Sequence, residues 1–200
     1  MNVSLSHRFR DALALAVEAH AGQVRKGSET PYVGHPLQVC GIALEHGADE
    51  EQAIAALLHD VLEDTDATYE DVQARFGTRV ADIVRGCSDS EEPDAKGPWR
   101  ERKERYLAHL AEVGPDIALV SCSDKLHNAR SILTDLRTHG NALWDRFTGK
   151  QDGSLWYYDQ LVAVFARLPV PAALRAELGD TVRRIHASLG KSPPAPTSSP

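Results

Sequence analysis

The stretch LLHDVLEDT, residues 57–65, groups four side chains able to hold a cation or move a proton: His59, Asp60, Glu63 and Asp64. On a continuous helix, residues four apart share a face. The spacing therefore predicts Glu63 one turn beyond His59, and Asp64 one turn beyond Asp60. Carboxylates grouped in this way either stay solvated at a helix end or are compensated by a cation, because a bare buried charge is costly. Two distant residues weigh on that choice. His35 opens a helical run in YVGHPLQV, and Asp124 follows the apolar run IALVSCS, which faces it inward. His35, His59, Asp60 and Asp124 then supply two imidazoles and two carboxylates. Such a mixed N/O set suits Mn²⁺, Fe²⁺ or Zn²⁺ with positions left for water.

The elements that must position these residues read as helices. Apolar residues three and four apart mark Ser6 to Ala21, His35 to Glu45, Ala53 to Leu62, Thr78 to Gly86 and Trp99 to Val113. Asp116 to Arg137, Trp156 to Leu168 and Ala172 to Leu189 continue the pattern. Asp49 with Gln52, and Thr68 with Asp71, have the spacing of helix starts, and Gly114-Pro115 opens the Asp116 run. No alternating run bounded by turn signals marks a strand, and no fixed-period repeat occurs. The expected fold is all-α, a compact single-domain helical bundle over residues 1–190. Three connections break the periodicity: 23–34, the acidic 88–98, expected to be mobile, and the polar 148–153. KSPPAPTSSP, residues 191–200, has the composition of a disordered tail.

Composition narrows the function further. Two hundred residues with a net charge of −7 argue against a generic nucleic-acid or anionic-membrane binder, which needs a basic face. A local basic pocket remains compatible with that total. Cys40, Cys87 and Cys122 are odd in number and far apart, which disfavours a disulfide scaffold or a thiolate zinc site. Cys40 and Cys122, in apolar helices, read as small core residues. The first ten residues carry no apolar signal region, and no run of membrane-spanning length follows. The expectation is a cytoplasmic protein with a small-molecule ligand and no nucleic-acid or membrane partner.

The order His35, His59-Asp60, Asp124 resembles the H…HD…D pattern of the HD-domain metal-dependent phosphohydrolases. More narrowly, HAGQVRKGSETPYVGHPLQV, LLHDVLEDT, FGTRVADIVRGCSD and SDKLHNAR are similar to the hydrolase domain of RelA/SpoT-type alarmone enzymes, over roughly residues 10 to 135. Two hundred residues leave no room for a synthetase with regulatory domains. The resemblance therefore implies a stand-alone small alarmone hydrolase. Members of that family remove the 3′-pyrophosphate of guanosine tetra- and pentaphosphate with Mn²⁺.

On that resemblance His35, His59, Asp60 and Asp124 are the metal ligands. Glu63 and Asp64 lie beside the water that the metal activates, and Asn128 joins them near water and ribose. Arg25, Lys26 and Ser28 match the family's substrate loop, whose Arg can stack on a purine and pair with phosphate. Between that basic pair and His35 the loop is one residue longer than in the bacterial bifunctional enzymes. Arg102 and Lys103 resemble the basic pair that approaches the pyrophosphate, and read equally as a solvated helix face beside Glu101 and Glu104. Arg130 and Ser131 are expected to line the pocket, and Tyr158 to give it an aromatic wall. His127 reads as a hydrogen-bond partner of the backbone or a support to the ligand residues rather than as a ligand.

Alternatives come from the same residues. The substrate is open to another phosphorylated nucleotide, such as an adenosine 3′-pyrophosphate, a deoxynucleotide or NADPH, because an arginine stacks on either purine. A catalytically silent nucleotide-binding module is disfavoured by the intact donor set. A cyclic-dinucleotide phosphodiesterase is disfavoured because no G-Y-P segment follows the His-Asp pair.

Overall fold

Capping residues set where the helices begin. Ser6 accepts a hydrogen bond from the Arg8 amide and opens α1 (His7–Ala19). After the 20–33 segment comes α2 (Gly34–Glu45), and then Asp49 and Gln52 form a reciprocal capping box that opens α3 (Glu50–Leu58). The computed structural model describes residues 4–88 and 97–190. Most of the expected acidic loop and the whole of the 191–200 tail lie outside the described residues.

The expected helix over Ala53 to Leu62 is broken. α3 ends at Leu58, His59 and Asp60 form a turn, and a four-residue α4 (Val61–Asp64) follows. At the break His59 Nδ1 turns back onto the Ala56 carbonyl at 2.9 Å, and Asp60, at φ −102° and ψ −4°, departs from ideal helical angles. The Asp60 carbonyl accepts from the amides of both Glu63 (3.2 Å) and Asp64 (2.9 Å). Asp64 thus stands one turn beyond Asp60 as expected, whereas Glu63 is tied to Asp60 rather than to His59.

Thr68 and Asp71 form a second capping box at α5 (Tyr69–Phe76), followed by α6 (Thr78–Cys87) and α7 (Trp99–Leu110). Thr68→Ala is expected to cost about 1 kcal/mol of stability by urea denaturation, with activity unchanged, because this cap lies away from the candidate site. The 25-residue α8 (Pro115–His139), with Pro115 in its first turn, packs on α2, α3, α6 and the last helix. Beyond Gly140 a 3-10 helix (Gly140–Arg146) leads into α9 (Lys150–Phe165), and α10 (Ala172–Ser188) closes the chain. Part of the expected 148–153 loop is therefore helical. Gly149 and Gly153 at its start lie under the Trp99 indole, where a Cβ on Gly149 would come within 2.6 Å of the ring.

Ile54, Leu57 and Leu58 of α3, Leu126 of α8, Leu161 and Phe165 of α9 and Leu174 of α10 are fully buried. The all-α expectation holds among the described residues, where the sole β feature is an isolated bridge between Val24 and Pro31. Among them no helix is long and apolar enough to cross a membrane.

Candidate metal centre and cleft

Three elements bring the sequence-distant donors to one point. His35 comes from the first turn of α2, His59 and Asp60 from the break between α3 and α4, and Asp124 from the middle of α8. His35, His59 and Asp124 are buried, and one donor atom from each lies within 4.8 Å of the others. Asp124 Oδ1 is 3.1 Å from His35 Nε2 and 3.8 Å from His59 Nε2. Asp60 Oδ2 approaches the same two nitrogens, at 3.4 and 3.0 Å.

The outward nitrogens decide how those imidazoles face. His59 Nδ1 donates to the Ala56 carbonyl, which leaves Nε2 directed into the cluster. Nε2 is buried there with the Asp60 carboxylate at ion-pair distance but with no partner in hydrogen-bond geometry among the described residues. His35 Nδ1 lies 2.7 Å from His127 Nδ1. Burial first, then the charges of His35 and Arg25, pushes the His127 pKa down to about 4. His127 is therefore neutral at pH 7, and its Nδ1 can accept the His35 proton. Such outer partners fix tautomer and ring orientation in metal sites. His127 thus stands against the outward nitrogen of His35, in position for the second of the two roles expected of it.

Charge in the cluster is tightly coupled. Burial opposes the His59 imidazolium, yet the Asp60 and Asp124 carboxylates hold its pKa well above the ordinary range. Burial likewise opposes charge on Asp60 and Asp124. The histidines, joined by Lys125 at Asp124, nevertheless hold both carboxyls well below theirs. The buried Asp124 carboxylate and the half-buried Asp60 carboxylate beside it require positive charge between them, and a divalent cation would supply it in place of protons. The convergent N/O donors and the buried His59 Nε2 among them fit such an ion.

Around the donors, polar side chains form relays. Asp124 Oδ1 accepts from Asn128 Nδ2 at 2.5 Å, and Asn128 Oδ1 accepts from Arg25 at 2.7 Å. Asp124 Oδ2 accepts from Lys125 Nζ at 2.6 Å. The Tyr32 hydroxyl donates to Asp60 Oδ2 at 2.7 Å, and its ring lies between those of His20 and His35. Burial, then the Asp60 charge, raises the Tyr32 pKa far enough to keep the phenol a donor at any ordinary pH. Tyr32→Phe is expected to weaken divalent-cation affinity about 10–100-fold with the fold intact. Calorimetric titration of the metal-free protein checks it, and unchanged affinity would leave Tyr32 a packing residue.

Next to the donors opens a cleft of about 600 Å³. Of the residues expected to meet substrate, Arg25, Lys26, Ser28, Arg102, Lys103, Ser131 and Tyr158 line it. Arg130 departs from expectation. It is not among the lining residues, and its guanidinium pairs with Glu177 of α10. One turn of α8 carries Ser131 and Arg130 to different sides. Asn128 lines the cleft, whereas Glu63 and Asp64 stand exposed on α4 outside it. Although the residue is exposed, partial desolvation of its carboxyl, then the Asp60 charge, raises the Asp64 pKa.

Sequence reasoning missed Tyr32, Lys125, Arg146 and Trp99, all of which line the cleft. Tyr32 and Lys125 sit inside motifs already singled out, and their adjacency to His35 and Asp124 was the available signal. Arg146 and Trp99 carried none, since tertiary packing alone brings them to the cleft.

An HD domain model matches residues 12–153. The chain belongs to the HD-domain family. Within it, this HD-domain protein is similar to guanosine-3′,5′-bis(diphosphate) 3′-pyrophosphohydrolase MESH1 of Danio rerio. The two are 38% identical over 135 residues, covering 66% of this chain and 73% of that one. It is also 42% identical over 127 residues to the guanosine-3′,5′-bis(diphosphate) 3′-pyrophosphohydrolase of Aquifex aeolicus. That match covers 64% of the chain and only 18% of the much longer relative. A solved structure described as a metazoan ortholog of SpoT that hydrolyzes ppGpp superposes with a TM-score of 0.76 at 32% identity. It covers 92% of this chain and 98% of its own. The family implies a divalent metal, and the His35, His59, Asp124 cluster is where the donors for it converge.

Proposed function

We propose that this HD-domain protein hydrolyses the 3′-pyrophosphate of guanosine tetra- and pentaphosphate with Mn²⁺, releasing pyrophosphate and leaving GDP or GTP. The observation that carries the reading is the charge of the cleft. In a chain with a net charge of −7, Arg25, Lys26, Arg102, Lys103, Lys125 and Arg146 line one concave surface next to the metal-type cluster. Arg102 Nε is buried there with no hydrogen-bond partner among the described residues, as befits a group that meets a phosphate oxygen. The names of the relatives supply the substrate class, and the match to stand-alone proteins of similar size supports an activity complete within one domain.

His35, His59, Asp60 and Asp124 would hold the ion. A divalent cation in this position activates water at neutral pH and polarises a phosphoryl oxygen. The chain's own residues do the rest. Arg25 is braced by Asn128 and lies 5.7 Å from the Tyr32 ring, a position from which a planar guanidinium reaches both purine and phosphate. Arg102 and Lys103 neutralise the leaving pyrophosphate, and Lys103 is steered by the Tyr157 ring 5.1 Å from its ammonium. Glu63 and Asp64 take the proton of the attacking water. Water adds to the phosphorus bonded to the ribose O3′, the P–O3′ bond breaks, and the proton taken from the water is returned, directly or through solvent, to O3′, which leaves as a hydroxyl. Free Cys40, Cys87 and Cys122 accord with a reducing cytoplasmic setting, which belongs to the same proposal.

The test is an assay of the purified protein with Mn²⁺ on guanosine 3′,5′-bis(diphosphate), its adenosine counterpart and NADPH, with products separated by ion exchange. GDP and pyrophosphate in equal amounts are the expected products. Release from none of the three, with Mn²⁺, Zn²⁺ or Fe²⁺, would rule out the enzyme.

A further inference from the structure

One residue runs against the charge of the cleft. Asp135 is the one aspartate or glutamate among the described residues that line it, opposite six lysines and arginines. A cleft built for phosphates gains nothing from a carboxylate, which would repel them. Asp135 lies on α8, eleven residues beyond Asp124. At the helical rise this places it about 16 Å along the axis from the metal-type cluster. The phosphate under attack and Asp135 therefore belong to distant parts of a ligand; of the two groups away from the 3′-pyrophosphate, a carboxylate repels the 5′-diphosphate and can accept from a nucleobase.

The surroundings of Asp135 have the form of a base site. Arg146 donates to Asp135 Oδ2 at 3.2 Å, while Oδ1 accepts no hydrogen bond from the described residues. The Arg146 stem crosses Gly27 in the Arg25-Lys26 loop, where a Cβ would lie 2.5 Å from Arg146 Cδ and where φ is +76°. Glycine at that position lets the Asp135–Arg146 pair close over the loop. Phe147 and Ile132 line the cleft beside the pair and supply apolar faces. A carboxylate next to a guanidinium matches the edge of guanine. The carboxylate accepts from N1–H and the exocyclic N2 amine, and the guanidinium donates toward O6. Adenine turns an unprotonated N1 toward the same carboxylate and lacks the N2 amine.

We propose that Asp135, held by Arg146, selects guanine over adenine in this cleft. The inference rests on the reading of the cleft as a nucleotide 3′-pyrophosphohydrolase site and names the base that site takes.

Asp135→Asn tests it, because asparagine keeps the size and suits the donor-acceptor pattern of adenine. Turnover of guanosine and adenosine 3′,5′-bis(diphosphate) is compared in both proteins. The expected result is a kcat/KM for the guanosine substrate lowered roughly 10–100-fold in the variant, with the adenosine substrate unchanged or improved. An equal fall on both substrates, or no fall, overturns the proposal and leaves Asp135 a partner that orients Arg146. Calorimetric binding of GDP and ADP, which needs no turnover, separates this inference from the reading beneath it. A wild-type preference for GDP that Asp135→Asn removes, without hydrolysis of either bis(diphosphate), would sustain the base assignment and sink the proposed reaction. Equal wild-type affinity for GDP and ADP would sink the base assignment even where hydrolysis is found.

Discussion

Asp124→Ala is expected to abolish divalent-cation binding and turnover together. Among the described residues the Asp124 carboxylate meets His35, His59, Asn128 and Lys125, whereas that of Asp60 meets His35, His59 and Tyr32. One carboxylate oxygen faces both histidine nitrogens and accepts from Asn128, and the other accepts from Lys125. Its removal takes away a donor and lets go of the relay through Asn128 to Arg25, so the site loses both ion and substrate alignment. A supporting partner of a metal ligand is worth about 10–100-fold in affinity, and a ligand itself should cost more. Without activation of water the expected fall in turnover is at least ~10³-fold. The measurement pairs calorimetric titration of the metal-free protein with Mn²⁺ and a pyrophosphate-release assay. A thermal melt guards against an unfolded variant. Bound Mn²⁺ should raise the melting temperature of the wild type and not of the variant, because a ligand that binds only the native state stabilises it. Retained Mn²⁺ affinity with lost turnover would move Asp124 from metal holding to substrate positioning.

Legibility in the sequence followed the range of the forces involved. Helices were legible because capping and amphipathic spacing act over a few residues: the boxes at Asp49 and Thr68 stand where their spacing put them. The donors were legible because each sits in a short motif with a chemical reason for its residue types. The break after Leu58 was not. The local pattern of α3 favours helix through Leu62, and the break at His59 and Asp60 accompanies contacts of the Asp60 carboxylate with His35, His59 and Tyr32 that no spacing announces. The same limit applies to Arg130, whose helical position fits either side of α8 until Glu177 on α10 claims it. Asp135 and Arg146 meet through a 3-10 helix that no periodicity announces. The general outline of the site was local information, and its far wall was tertiary.

That broken helix gives Glu63→Gln its interest. On a continuous helix Glu63 would stand over His59; in the structure it rides on a four-residue turn anchored at the Asp60 carbonyl, exposed beside Asp64. α4 is short, yet it is fixed at both ends. Thr65 Oγ1 donates to the Val61 carbonyl at 2.6 Å, and Gln23, itself held by His20, donates to the Asp64 carbonyl at 2.9 Å. Two carboxylates are therefore held next to Asp60, a proposed metal ligand, without being drawn into the buried cluster, which suits a group that must exchange protons with water. Glutamine keeps the shape of Glu63 and cannot take a proton. The expected result is Mn²⁺ affinity within about threefold of wild type and kcat lower by roughly 10²–10⁴-fold, the usual worth of a general base. Because the group acts on the attacking water rather than on the nucleotide, KM should change far less than kcat. Calorimetry and steady-state kinetics on one preparation separate these effects. Full activity in Glu63→Gln with loss in Asp64→Asn would assign the proton to Asp64, whose carboxyl partial desolvation and the Asp60 charge already raise toward a better base.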